Sequence, residues 1–155
     1  RALMIDATAW VETGGWREAP DAGAPVKRFA NHALKRHLKK LNRRGLAAQG
    51  GDDAARHHLR IEAKKLRYAA EGFAGLYGGK RVERYLEELK GLQEVLGDLN
   101  DLAGAEPLMA KLKLSPQAAF AAGELVGRKT AAKPRLLTRA AKALGRLDAA
   151  EPFWR

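Results

Sequence analysis

Apolar side chains recur every three to four positions along most of this chain, and no segment keeps the two-residue alternation of a half-buried strand. At 100° per residue, Ala30, Leu34, Leu38 and Leu41 share one side of a helix over 26–44. Leu59, Ala63, Leu66, Ala70 and Phe73 do the same over 53–77. Val82, Tyr85, Leu86, Leu89, Leu92, Leu96 and Leu99 form the apolar stripe of a helix that starts near Lys80 and passes Asp101. Three further helices are predicted at 2–13, 116–131 and 134–148, giving six. Breakers separate them. Gly14-Gly15 stops the first, Pro20 to Pro25 form a loop, and Gly45 reads as a C-terminal stop. Asp52 or Asp53 can cap the third helix and Gly78-Gly79 ends it. Gly104 and Pro107 weaken the end of the fourth, and Ser115-Pro116 opens the fifth as cap plus first-turn proline. The expectation is an all-α, antiparallel bundle of about six helices in one domain.

The polar sides of two of these helices are cationic. Arg28, His32, Lys35, Lys39 and Arg43 follow one another at spacings of 4, 3, 4 and 4. His57, Arg60, Lys64, Arg67 and Glu71 do so at 3, 4, 3 and 4. Neighbours in each stripe stand about one turn, ~5.4 Å, apart. Like charges at that spacing weaken a helix by a few tenths of a kcal/mol per pair. The only acid between His57 and Arg67 is Glu62, and it lies off the stripe. A bound anion would offset the repulsion. Arg presents a planar fork to two phosphate oxygens, Lys a compact charge, and His57 one or two ring N–H donors. The alternative is neutralisation within the molecule, by Glu83, Glu87 or Glu94 of the next helix.

On that next helix Lys90, Gln93, Gly97 and Asn100 run along the border of the apolar stripe at spacings of 3, 4 and 3. Gln93 and Asn100 either satisfy nearby backbone and side chains or, with Lys90, orient the cations and touch the anion. Gly97 is expected to admit a close helix approach, because an interior glycine costs about 1 kcal/mol.

Charge distribution narrows the choice of partner. The net charge is +11, but residues 27–67 alone hold 13 Lys and Arg against 3 Asp and Glu, net +10. Residues 1–26 are net −2 and residues 68–155 net +3. Such a concentrated field raises the local concentration of an anionic partner, although a solvated basic face is the bland alternative. The absence of cysteine removes disulfides, thiolate metal sites and cysteine nucleophiles, and fits a reducing compartment. With no apolar run near the ~18 residues of a membrane span and no signal peptide, a cytoplasmic location is expected. The chain opens at Arg1 in mid-pattern, which reads as a fragment whose N-terminal portion is absent.

Two runs carry a family resemblance. His57-His58-Leu59-Arg60-Ile61-Glu62-Ala63-Lys64-Lys65-Leu66-Arg67-Tyr68-Ala69-Ala70-Glu71 closely resembles the signature of the CHAD family, the conserved-histidine α-helical domain. Leu89-Lys90-Gly91-Leu92-Gln93-Glu94-Val95-Leu96-Gly97-Asp98-Leu99-Asn100-Asp101 resembles the family's second signature, in the matching order and separation. The likeness extends from Trp10 and Gly15-Trp16 to the closing Pro152-Phe153-Trp154. It implies two pseudo-symmetric helical halves around a basic cavity that binds inorganic polyphosphate, of which residues 1–155 are the C-terminal half. It implies that His57 is the namesake histidine and that Arg60, Lys64, Lys65 and Arg67 are cavity cations, with Tyr68 and Glu71 in support. Arg28, His32, Lys35, Lys39 and Arg43 are expected on the basic helix beside them. It also implies an association with polyphosphate granules, and a partner in the first half of the same domain.

Two rival classes stand against a polyphosphate-binding module. A nucleic-acid-binding helical domain is allowed by the charge. Yet no helix-turn-helix or zinc motif is visible, and the basic helices interleave few aromatics for base stacking. An enzyme would need metal-binding carboxylates or a nucleophile–base pair. There is no P-loop and no His-Glu-x-x-His, and His32/His37 and His57/His58 have poor spacing for a shared metal. Neither catalysis nor a cofactor is expected.

Overall fold

The computed structural model describes residues 8, 9, 12–15 and 23–155. Residues 8, 9, 12 and 13 are helical; the rest of the expected helix at 2–13, with Trp10 and Trp16, lies outside the described residues. Five helices follow among the described residues: α1 (Val26–Ala48), α2 (Asp53–Phe73), α3 (Lys80–Lys111), α4 (Pro116–Ala131) and α5 (Lys133–Ala149). A 3-10 turn, Ala74–Leu76, extends α2 before Gly78 and Gly79, whose φ values of 67° and 86° only glycine adopts easily. The all-α antiparallel bundle is as the periodicity predicts.

Caps fix the starts. The Asp52 side chain accepts from the backbone N–H of Ala55 at 2.8 Å, and Ser115 accepts from that of Ala118 at 3.3 Å, ahead of Pro116. Gly45 does not end α1. The helix runs three residues further, and Gly45 is buried where α5 crosses, a Cβ there falling 2.9 Å from Cδ2 of Leu144. The glycine thus serves close packing rather than chain reversal. Gly97 is the converse: a Cβ on it would meet nothing within 4 Å, so it does not mediate a close approach. Pro107 does not stop α3 either, although it cannot donate to the carbonyl of Ala103.

The helices pack in series, α1 on α2, α2 on α3 and α3 on α5, while α4 leans on α3 more lightly and buries no residue. Leu34 and Leu41 meet Leu59, Leu66, Leu89, Leu92, Leu96 and Leu147 in one apolar core. After α5 the chain turns back, so that Phe153 and Trp154 join that core. Their rings stand edge-on to Tyr85, at 5.8 and 4.9 Å between centroids, and Phe153 also meets Tyr77 at 5.1 Å. Polar ties complete the frame: Lys133 of α5 reaches Asp53 of α2 at 3.0 Å, Arg146 reaches Glu88 at 3.0 Å, and the Tyr77 hydroxyl donates to Asn31.

Candidate anion-binding cleft

The apolar stripes of α2 and α3 face each other, which leaves the flanking positions of both helices to line a groove between them. Arg60, Lys64 and Arg67 come from α2; Lys90, Gln93 and Glu94 come from α3. Together they line an open cleft of about 230 Å³. Successive turns of α2 carry the three basic side chains, so the cations stand in a row along one wall.

Two polar contacts hold the walls in register. Gln93 donates from Nε2 to the backbone carbonyl of Ala63 at 2.9 Å, a half-buried bond across the helix pair. Asn100 Oδ1 lies 2.7 Å from Nδ1 of His57, 43 positions earlier in the chain. An amide oxygen can only accept, so that pairing places a proton on Nδ1 and turns Nε2 outward to solvent or ligand. The exposed imidazole therefore has a fixed orientation at the end of the row.

Charge balance inside the cleft is incomplete. Arg67 stands 3.5 Å from Glu71 and 5.3 Å from the centroid of the Tyr68 ring. Its Nε–H is nevertheless buried without a hydrogen-bond partner, because the carboxylate is poorly placed for one. Among the described residues, Arg60, Lys64 and Lys90 form no ion pair. Glu94 lines the cleft without closing on a cation, and neither Glu83 nor Glu87 pairs with this row. Three unpaired cations facing one groove repel each other.

Other expected site residues are placed elsewhere. Lys65 lies on the α1 side of α2 and pairs with Glu62 at 2.9 Å. Burial pushes the Glu62 carboxyl up, but that hydrogen bond and the charges of Lys65, Lys40 and His37 outweigh it and hold the group below its usual range. Burial first, then Arg36, Lys40 and Lys65, lowers His37 below its ordinary value against the opposing pull of Glu62. Arg28, His32, Lys35, Lys39 and Arg43 are exposed on the side of α1 opposite Ala30, Leu34 and Leu41, and none of them lines the cleft. Helix α1 contains no Asp or Glu, and among the described residues its cations make no ion pair.

A family model described as the CHAD domain matches residues 1–110, well over half of the chain. The chain belongs to the CHAD family. No curated protein and no solved structure matches it. The CHAD match takes in α1, α2 and all but the last residue of α3, hence both walls of the cleft, while α4, α5 and the returning Phe153-Trp154 segment fall beyond it. No described helix is long and apolar enough to cross a membrane.

Proposed function

We propose that this CHAD-family chain binds inorganic polyphosphate without catalysing a reaction on it. The supporting observation is the row of Arg60, Lys64 and Arg67 facing Lys90 across one cleft, where, among the described residues, Arg67 alone is in an ion pair and Glu94 closes on none of them. Guanidinium forks hold pairs of phosphate oxygens, and the lysines add charge without geometric demand. His57, oriented by Asn100, offers its outward nitrogen at the end of the row. Gln93 keeps the two walls at a fixed separation. The cleft is then one wall of a larger basic cavity, the other wall coming from a symmetry-related half of the same domain. The exposed stripe of α1, from Arg28 to Arg43, and Lys65 supply a second row along which a long polyanion continues. A place in the cytoplasm, on polyphosphate granules, accords with this ligand.

Competition between long-chain polyphosphate and duplex DNA over a salt series tests this reading. Polyphosphate that DNA cannot displace is the expected result. Equal displacement by DNA would move the function to nucleic acid, for which the acid-free outer face of α1 is the better-suited surface.

A further inference from the structure

A second basic cavity, of about 410 Å³, lies away from the cleft, where the start of α3 meets the end of α5. Lys80, Arg81 and Arg84 line one side; Ala149, Ala150 and Glu151 line the other. Lys80, Arg81 and Arg84 outnumber the one acid, Glu83, in the opening turns of this 32-residue helix. The helix N-terminus is itself the positive end of the backbone dipole and favours carboxylates. Here the N-cap is Gly79, which has no side chain to accept from the first N–H groups. Arg81 has a partner in Glu151 at 3.4 Å; Lys80 and Arg84 have none among the described residues. The inner wall includes Tyr85, 1% exposed, whose hydroxyl is buried with no hydrogen-bond partner. Burial pushes that hydroxyl well above the ordinary tyrosine value, so it stays a protonated donor. Phe153 and Trp154, packed on Tyr85, fix the wall that carries Glu151.

We infer that this cavity is a second anion-binding site, taking a phosphate group between Lys80, Arg84 and the uncapped start of α3. The phosphate is either a free ion or one unit of a polyphosphate chain. Both offer the same oxygens to the same donors. The inference stands apart from the cleft, since it uses none of the cleft's residues.

The test is an amide chemical-shift titration of the full chain carrying Arg60→Ala plus Arg67→Ala, with inorganic phosphate and, separately, with long-chain polyphosphate. Shifts at residues 79–84 are expected with either ligand. Shifts with inorganic phosphate identify a free-ion site, and shifts with polyphosphate alone identify a chain site. Adding Lys80→Ala and Arg84→Ala removes two charge-assisted contacts and should weaken the response at 79–84 by about tenfold or more. Both substitutions replace exposed side chains by the best helix former, so the fold should survive, as thermal unfolding will confirm. No shift at 79–84 with either ligand, or a shift that survives Lys80→Ala plus Arg84→Ala, overturns the inference. Failure of the cleft reading would instead show in the unsubstituted chain, as a lack of response at residues 57–67 and 90–100.

Discussion

Removing Arg60 and Arg67 together should change how steeply polyanion binding depends on salt, and that slope counts cations. Each neutralised charge releases counterions, and for a flexible single-stranded polyanion log K falls with log salt at about −0.7 per charge. The cleft holds four cations, Arg60, Lys64, Arg67 and Lys90. Four give a slope of about −2.8, or roughly a 50-fold loss of affinity between 50 and 200 mM salt. With Arg60→Ala plus Arg67→Ala the slope should fall to about −1.4, a loss of roughly sevenfold over the same range. If Arg28, Lys35, Lys39 and Arg43 of α1 take part as well, the unsubstituted chain should show about −5.6, or roughly 2,000-fold. Stability should hardly move, because the Arg67–Glu71 contact is partly exposed and of the i,i+4 kind, worth about 0.3–0.5 kcal/mol. Calorimetric titration with polyphosphate at four or five salt concentrations gives the slope, and circular dichroism checks the helices. A slope unchanged by the double substitution would show that the cleft is not where the polyanion binds.

Three other outcomes can be checked on the same material. Asn100→Ala frees the His57 ring and loses one exposed hydrogen bond, so polyphosphate affinity should drop about two- to tenfold with only a small change in urea midpoint, alanine's higher helix propensity offsetting part of the loss; full affinity would show that ring orientation is irrelevant. Trp154→Ala empties a buried site against Tyr85 and should cost about 3–5 kcal/mol, read as a large fall in Tm; a fall of only a degree or two would mean that the returning segment does not hold the core. Asp53 is held below its ordinary value of 3.8 by hydrogen bonds from Arg56 and then Lys133, which exceed the effect of burial. A depressed carboxyl stabilises the fold above that value and stops doing so as pH falls through the lower, folded one. Asp53→Asn should therefore cost about 0.5 kcal/mol at pH 7, discounted because the side chain is 41% exposed, and almost nothing near pH 2. An equal cost at both pH values in urea unfolding would refute the linkage.

Helix existence was legible in the sequence because the 3.6-residue period of leucine and alanine is a local property. Asp52 and Ser115 were legible as caps for the same reason. Gly45 and Gly97 were misleading. Gly45 reads locally as a helix stop and Gly97 as a close-approach site, and their surroundings reverse the two roles: Leu144 packs beside Gly45, and open space lies beside Gly97. The basic stripe of α2 could be drawn from spacing, but not which neighbour it faces, nor where Lys65, assigned by resemblance, lies. Spacing orders side chains around one helix; only the neighbours decide that Arg60, Lys64 and Arg67 face α3 while Lys65 faces α1. The pairs Gln93 to Ala63 and His57 to Asn100, 30 and 43 positions apart, leave no trace in periodicity. The Lys80, Arg81 and Arg84 cluster, beside Glu83 at the start of α3, matters only because the end of α5 closes over it.

Helix α4 buries none of its residues, and Phe120 and Leu125 are 77% and 58% exposed. A segment with so little burial opens by itself, at a fraction of the free energy of global unfolding. Its amides should exchange with solvent soon after those of loops, and proteases should nick the chain near Leu112–Ser115 before the rest yields. Neither event need disturb α2 and α3, whose contact is made without α4. The same looseness makes this stretch the place to insert a reporter or a tether, since a chain interrupted there keeps both walls of its cleft.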